Sequence, residues 1–291
     1  MEVKDWIKDA IDLYNKDYSY LRIGRALNVD RKRVAIELKK LGYLPKYSFV
    51  SRNGVNREFD IWRKYNFNED FFEKIDTEEK AYWLGYSYAD GYVSSTKSSY
   101  ELYVQEKDLE HLKKFQKSIN SNHKLTTHRK KMTYNGKEHE YIGYRLTLNS
   151  EKFKHDLIKK GCVENKSKIL KFPSFRQVPK RLQHHFIRGY IDGDGCWSVK
   201  KNLVSLEVVG TQDFLEGIIK SLNMHTNTIH NLKGKNNYTG VKRINYSGEY
   251  SCKIFNMLYK DATIYMDRKY KKAKLSCRLN PKSNEGLREL E

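Results

Sequence analysis

"WLGYSYADGYV" at residues 83–93 and "IRGYIDGDGCW" at 187–197 are two versions of one pattern, 104 positions apart. Each carries a glycine, three residues, a small residue, then Asp-Gly and an apolar run. Residues four apart share one face of a helix. Gly85 with Ala89, and Gly189 with Gly193, therefore give each segment a stripe without bulky side chains. Two such helices can touch backbone to backbone. Packed on each other they bring their C-terminal ends together, and those ends carry Asp90 and Asp194. Gly91 and Gly195 then release the chain from helix into strand. The repeat predicts two neighbouring carboxylates.

Carboxylates about 5 Å apart repel by roughly 3 kcal/mol at an effective dielectric of about 20. A shared proton or divalent cations must offset this. Oxygen ligands suit Mg²⁺, which keeps waters and binds through one or two carboxylates plus a substrate phosphate. That set of donors matches metal-assisted phosphodiester hydrolysis. "DGDGCW" lacks the later acids and the glycine of an EF-hand loop, so that reading is set aside.

The repetition extends downstream. "GYVSS" and "YELYVQ" alternate like paired strands, and "DLEHLKKFQKSI" has helical spacing. "HKLTTHRKK" and "EYIGYRLTL" read as strands, and "SEKFKHDLIKKG" as a helix closed by Gly161. The same order follows Asp194: strands in "CWSVK" and "LVSLEVVG", a helix in "TQDFLEGIIKSL", strands in "HTNTIHNLK" and "GVKRINYS", and a helix in "YSCKIFNMLYKDA". Each copy is a helix, two strands, a helix, two strands and a helix.

The chain has 291 residues and a formal net charge of +20. So large a charge repels itself in a compact state and calls for a polyanionic partner. Its 22 tyrosines are interleaved with Lys and Arg, which suits phosphate contacts combined with base contacts. No apolar run is long enough to span a membrane, and "MEVKDWIKDAIDLY" is too acidic for a signal peptide. A cytoplasmic, intracellular location is expected. The four scattered cysteines have no CxxC spacing, so free thiols are expected rather than zinc ligands. His184-His185 reads as a helix-surface pair.

Residues 1–45 read as a helix-turn-helix domain. Trp6, Ile7, Ala10, Ile11 and Tyr14 have helical spacing; Ile23, Leu27, Val29, Val34 and Leu38 are the apolar posts of the following pair. Gly24 permits close approach, Asn28 sits at the turn, and Asp30 can cap the next helix. That second helix carries Arg31, Lys32, Arg33, Lys39 and Lys40, and in a helix-turn-helix it enters the major groove. Residues 46–78 read as a linker, 79–172 and 173–280 as the two repeats, and 281–291 as a tail.

The motif pair strongly resembles the LAGLIDADG homing endonucleases in their single-chain, two-motif form, some of which also carry a helix-turn-helix. The resemblance covers roughly residues 79–275. It implies an α+β fold of two pseudo-symmetric αββαββα halves whose sheets form a saddle over double-stranded DNA. It implies Asp90 and Asp194 as metal ligands, Gly91 and Gly195 in the metal site, and Mg²⁺ as the cation, with Mn²⁺ as a substitute. It also implies a basic residue near the end of each half. Lys166 lies 76 residues after Asp90, and Lys269 lies 75 after Asp194, with Arg268 as the nearest rival. The implied activity is hydrolysis of both strands of a long asymmetric site by a monomer. One departure is that Tyr88 stands where the second motif has Asp192, which reads as a cap or a support behind the ligands. A non-cleaving DNA-binding regulator and an RNA maturase are the competing readings.

Overall fold

The computed structural model describes residues 6–16, 18–43, 65–134, 137–224, 229–231 and 240–279. The chain divides into two compact units, Met1–Trp62 and Arg63–Glu291. The expected tail 281–291 lies outside the described residues.

The first unit holds α1 (Trp6–Asn15), α2 (Tyr20–Ala26) and α3 (Arg31–Lys40). Ala10, Tyr20, Ile23, Val34 and Leu38 form its core. The turn between α2 and α3 follows from three residues. Asn28 adopts a left-handed φ of 51°, which asparagine tolerates better than most residues. A β-carbon on Gly24 would stand 2.5 Å from the Val29 carbonyl oxygen, so only glycine admits this turn. The Asp30 carboxylate accepts from the Lys32 backbone N–H at 2.8 Å and caps α3.

The second unit runs α4 (Glu78–Asp90), β1 (Gly91–Val93), β2 (Ser99–Gln105), α5 (Leu109–Ser118), β3 (Thr126–Tyr134), β4 (Lys137–Asn149) and α6 (Glu151–Lys159). The order repeats as α7 (Gln183–Asp194), β5 (Cys196–Lys200), β6 (Leu203–Gly210), α8 (Gln212–Ser221), β7 (His230–Asn231), β8 (Lys242–Ser247) and α9 (Glu249–Tyr259). Each half builds a four-stranded antiparallel sheet, in orders β1-β2-β4-β3 and β5-β6-β8-β7. The duplicated αββαββα architecture expected from the sequence is the one observed. Its termini are where local chemistry predicts: Thr77, Ser150 and Thr211 each cap a helix through the side-chain oxygen. Gly161, at φ +93°, follows α6.

α4 and α7 pack on each other at the centre. α4 is buried continuously from Ala81 to Tyr88, and α7 from His185 to Asp192. A helix surrounded on all sides keeps no polar face, which is why apolar and aromatic residues run round both. Their closest approach is reciprocal. A β-carbon on Gly85 would stand 1.9 Å from the Phe186 carbonyl oxygen, and one on Gly189 would stand 1.9 Å from that of Tyr82. One on Gly193 would meet the Ala89 methyl at 2.3 Å, so the two copies cannot both carry alanine there.

Three expectations need correction. Of the linker assigned to 46–78, residues 46–64 lie outside the described residues and 65–78 are partly core: Phe71, Phe72 and Ile75 are buried with Phe153, and the Asn68 N–H donates to the Ile119 carbonyl at 2.7 Å. Charged residues between these aromatics hid an apolar edge with neither helical nor strand period. The second half gains α10 (Asp267–Leu279), which packs on α9 and the second sheet. Four free thiols were expected, but Cys252 of α9 and Cys277 of α10 form a disulfide with Cα atoms 4.7 Å apart. Only the packing of these two helices brings them together. Cys162 and Cys196 are free. Among the described residues no helix is long and apolar enough to cross a membrane.

Candidate active site

Asp90 and Asp194 close α4 and α7, and both side chains are exposed to solvent. They are close enough to feel each other. A β-carbon on Gly193 would lie 3.4 Å from an Asp90 carboxylate oxygen, one residue before Asp194. Surrounding protein, and then the Asp194 charge, push the Asp90 carboxyl up to about 6, against the opposing pull of Tyr86, Lys269 and Lys166. Loss of water to the surrounding protein also raises Asp194, with Lys269, Lys166 and Tyr190 opposing it. Two carboxyls raised at the ends of two helices form a site that favours added positive charge.

Tyr86 and Tyr190 escaped the sequence reading. They hold equivalent places, four residues before each aspartate, and their hydroxyls sit beside the two carboxylates. The equal offset within the repeats was the available signal. Tyr190 also donates to the Val209 carbonyl at 2.7 Å, anchoring α7 to β6.

The lysines selected by spacing arrive at equivalent atoms. Lys166 donates to the Gly91 carbonyl, and Lys269 donates to the Gly195 carbonyl at 2.7 Å. Gly91 and Gly195, expected in the metal site, thus have their carbonyls engaged by ammonium groups, with one lone pair left on each. Arg268, the rival, turns away to Asp108, forming two bonds of 2.5 and 2.8 Å.

Asp192 is fully buried and supports α7 from behind. It accepts from the Tyr82 hydroxyl at 2.7 Å, the Tyr259 hydroxyl at 2.8 Å and the Met266 N–H at 2.8 Å. His111 extends the chain of bonds, 2.9 Å from the Tyr82 oxygen, and burial holds its pKa down to about 3. The counterpart Tyr88 instead donates to the Lys160 carbonyl at 2.5 Å. Arg188 is a second buried tie between the halves: it bonds Glu78 at 2.6 Å and the Leu258 and Ile264 carbonyls at 2.7 and 3.0 Å. His185, read as a surface residue, is buried at 2.8 Å from Arg188.

The outer faces of the sheets follow from register, because residues paired across antiparallel strands share a face. On the first, Tyr92 pairs with Glu101, Tyr103 with Arg145, Gln105 with Gly143, and Lys130 with Tyr141. Tyr92, Tyr103 and Tyr141 are exposed. The Tyr103 ring lies across Gly143, where a side chain would displace it. On the second, Ser198 pairs with Ser205, Glu207 with Asn245, and Val209 with Arg243. In each sheet an arginine holds the acid on the neighbouring strand: Arg145 with Glu101 at 3.2 Å and Arg243 with Glu207 at 3.0 Å. In the first unit, Arg31, Lys32, Arg33, Lys39 and Lys40 are all exposed on α3.

Three solved structures are similar to this chain. The LAGLIDADG meganuclease I-AabMI bound to uncleaved DNA shares 10% identity over 70% of this chain and 91% of its own, with a TM-score of 0.41. The homing endonuclease I-WcaI bound to its DNA recognition sequence shares 14% over 69% and 91%, at 0.47. I-SmaMI bound to an uncleaved DNA target in the presence of calcium ions shares 14% over 72% and 96%, at 0.34. No protein-family model matches the sequence, and no curated protein matches it.

Proposed function

We propose that the chain is a site-specific DNA endonuclease of the LAGLIDADG homing type, hydrolysing both strands of a long asymmetric duplex site. The observation that carries this reading is the pair of solvent-exposed carboxylates, Asp90 and Asp194, at the joined ends of α4 and α7 in a duplicated fold with two open sheet faces. The residues fit a divalent cation. Both ligands are hard oxygen donors whose charge is disfavoured without one. Among the described residues no cluster of three or more His, Cys, Asp or Glu completes a cage, which suits an ion that keeps waters and binds substrate phosphate. Mg²⁺, or Mn²⁺ in its place, would supply Lewis-acid charge and a water of lowered pKa. Asp90 and Asp194 would hold the cation, and Gly91 and Gly195 would offer their backbone carbonyls beside it; each is a glycine because a side chain would meet the Ser87 or Ile191 carbonyl. Lys166 and Lys269 stand at the two motif ends, where positive charge favours a developing phosphorane.

Recognition is assigned to the sheets. Tyr92, Tyr103 and Tyr141 offer apolar surface to bases, and Arg145, Lys130, Lys200 and Arg243 offer donors for bases and phosphates. A single chain with two unlike halves acts as a monomer on a site without two-fold symmetry. The direct experiment is selection of cleaved sites from a randomised duplex pool in Mg²⁺, with EDTA as control. One asymmetric site cut on both strands is expected. Tight binding without cutting would favour a regulator, and activity confined to intron RNA would favour a maturase.

Affinity should fall steeply with salt. Six or more neutralised phosphates give a log–log slope of about −5 or steeper. Titrations from low to moderate salt read this directly, and a flat response removes nucleic acid as the partner.

The first unit is assigned to DNA as a helix-turn-helix. Its separate core and the exposed cations of α3 support an accessory role. Deleting residues 1–45 is expected to shorten the footprint and weaken binding while leaving cleavage intact at high protein concentration. Identical footprints with and without the segment would assign it another task.

A further inference from the structure

The two lysines reach equivalent carbonyls from unlike positions. An ammonium has three N–H donors. Those of Lys269 go to the carbonyls of Ile191 at 3.0 Å, Gly193 at 2.6 Å and Gly195 at 2.7 Å. Lys269 is only 6% exposed and sits on α10, a thirteen-residue helix packed across β5 and β6. The end of any helix leaves carbonyls without intrahelical partners, and a cation there is favourable. Lys269 meets that demand for α7 together with the Gly195 N–H, which also donates to the Ile191 carbonyl at 2.8 Å.

In the first half the same demand is divided. The Ser87 carbonyl, counterpart of that of Ile191, accepts from the Cys162 thiol at 3.4 Å. Lys166 bonds only the Gly91 carbonyl among the described residues. It is half-exposed, on a short turn, Lys166–Lys168, that follows Asn165 at φ 50°. Two of its donors remain for another acceptor. Moving Lys269 toward a phosphate would break three bonds to backbone carbonyls, whereas moving Lys166 would break one.

We infer that the two centres are unequal: Lys166 is the catalytic lysine, Lys269 is a positioning residue clamping the end of α7, and the strand served by Lys166 is cut first. This rests on the endonuclease reading for Lys166 alone; the clamp is a property of the fold. A donor that stabilises developing charge must reach the reacting oxygen, and only Lys166 is free to do so.

The test uses full-length K166M, K269M and K269Q. Thermal unfolding without DNA is expected to drop by about 5 °C for K269M, less for K269Q, which keeps two donors, and by under about 2 °C for K166M. Single-turnover cleavage of a duplex labelled on each strand is read at low temperature, where K269M remains folded. K166M should slow one strand by about 100-fold and leave the other within a few-fold. K269M should act on both strands alike, and the parent should accumulate a nick in the strand that K166M slows. A K269M protein with parental thermal stability would overturn the clamp. K166M cutting both strands at parental rates would overturn the assignment of Lys166. A parent that cuts no duplex overturns the endonuclease reading and the role of Lys166 with it, while the thermal comparison still decides Lys269.

Discussion

Asp90→Asn and Asp194→Asn are each expected to slow double-strand cleavage by about 1000-fold or more, as loss of a central electrostatic group does, while duplex binding survives. The asparagine keeps the shape at the end of the helix, and the helix contact comes from Gly85, Gly189 and the Ala89–Gly193 pair, so the fold is retained. What is lost is the charge that would hold the proposed cation. Without metal the effect on stability has the opposite sign. Asp90 titrates near 6 in the folded protein, above its ordinary 3.8. A raised carboxyl pKa means that the folded state disfavours the ionised form. That penalty is absent below the unfolded pKa, grows as pH rises towards about 6, and is constant above. Metal-free Asp90→Asn should therefore match the parent near pH 4 and unfold at a higher temperature at pH 7. Plasmid cleavage in Mg²⁺ and EDTA, with thermal scans across that range, gives both readings. Full cleavage by either variant, or by the parent in EDTA, would falsify the paired-carboxylate mechanism.

The second large effect concerns a single methyl group. Gly85→Ala or Gly189→Ala improves helix propensity by about 1 kcal/mol. Against this, the new β-carbon lies 1.9 Å from a backbone carbonyl of the opposing helix. Neither helix has a rotamer to change, so the pair must separate, and overpacking of this kind costs about 1–3 kcal/mol and occasionally more. A net loss of up to about 2 kcal/mol is expected from each change, and loss of cleavage as the carboxylates part. Gly210→Ala is the control: its nearest neighbour would be the Phe214 ring at 3.1 Å, a side chain that can give way. Urea unfolding should show Gly210→Ala well above the other two. Equal midpoints for all three would mean that the helices are not in backbone contact.

Much of this was legible because the chain states it twice. The 104-residue offset marks Gly85 and Gly189 as well as Asp90 and Asp194, and spacings from each aspartate that differ by one residue singled out Lys166 and Lys269. The cap at Asp30 was legible because it is local. What one copy has alone was not. Asp192 was legible as a support behind the ligands, but its partners Tyr82 and Tyr259, 110 and 67 positions away, were not, and neither was the buried tie of Arg188 to Glu78, 110 positions away. Nothing in the spacing of Cys252 and Cys277 shows that α9 and α10 lie side by side. Phe71 and Phe72 were hidden for a similar reason, since their packing surface is supplied by α6.

The contact at Gly85 and Gly189 also measures a length. Two helices held apart by side chains can slide or roll as those side chains change rotamer. Helices whose backbones touch at two reciprocal points cannot. The gap between the carboxylates is therefore a gauge machined into the protein, independent of any duplex it would meet. If the two aspartates direct the two cuts, the stagger between them belongs to this chain. Substitutions on the sheet faces would then change which site is chosen, yet leave the number of bases in the overhang the same.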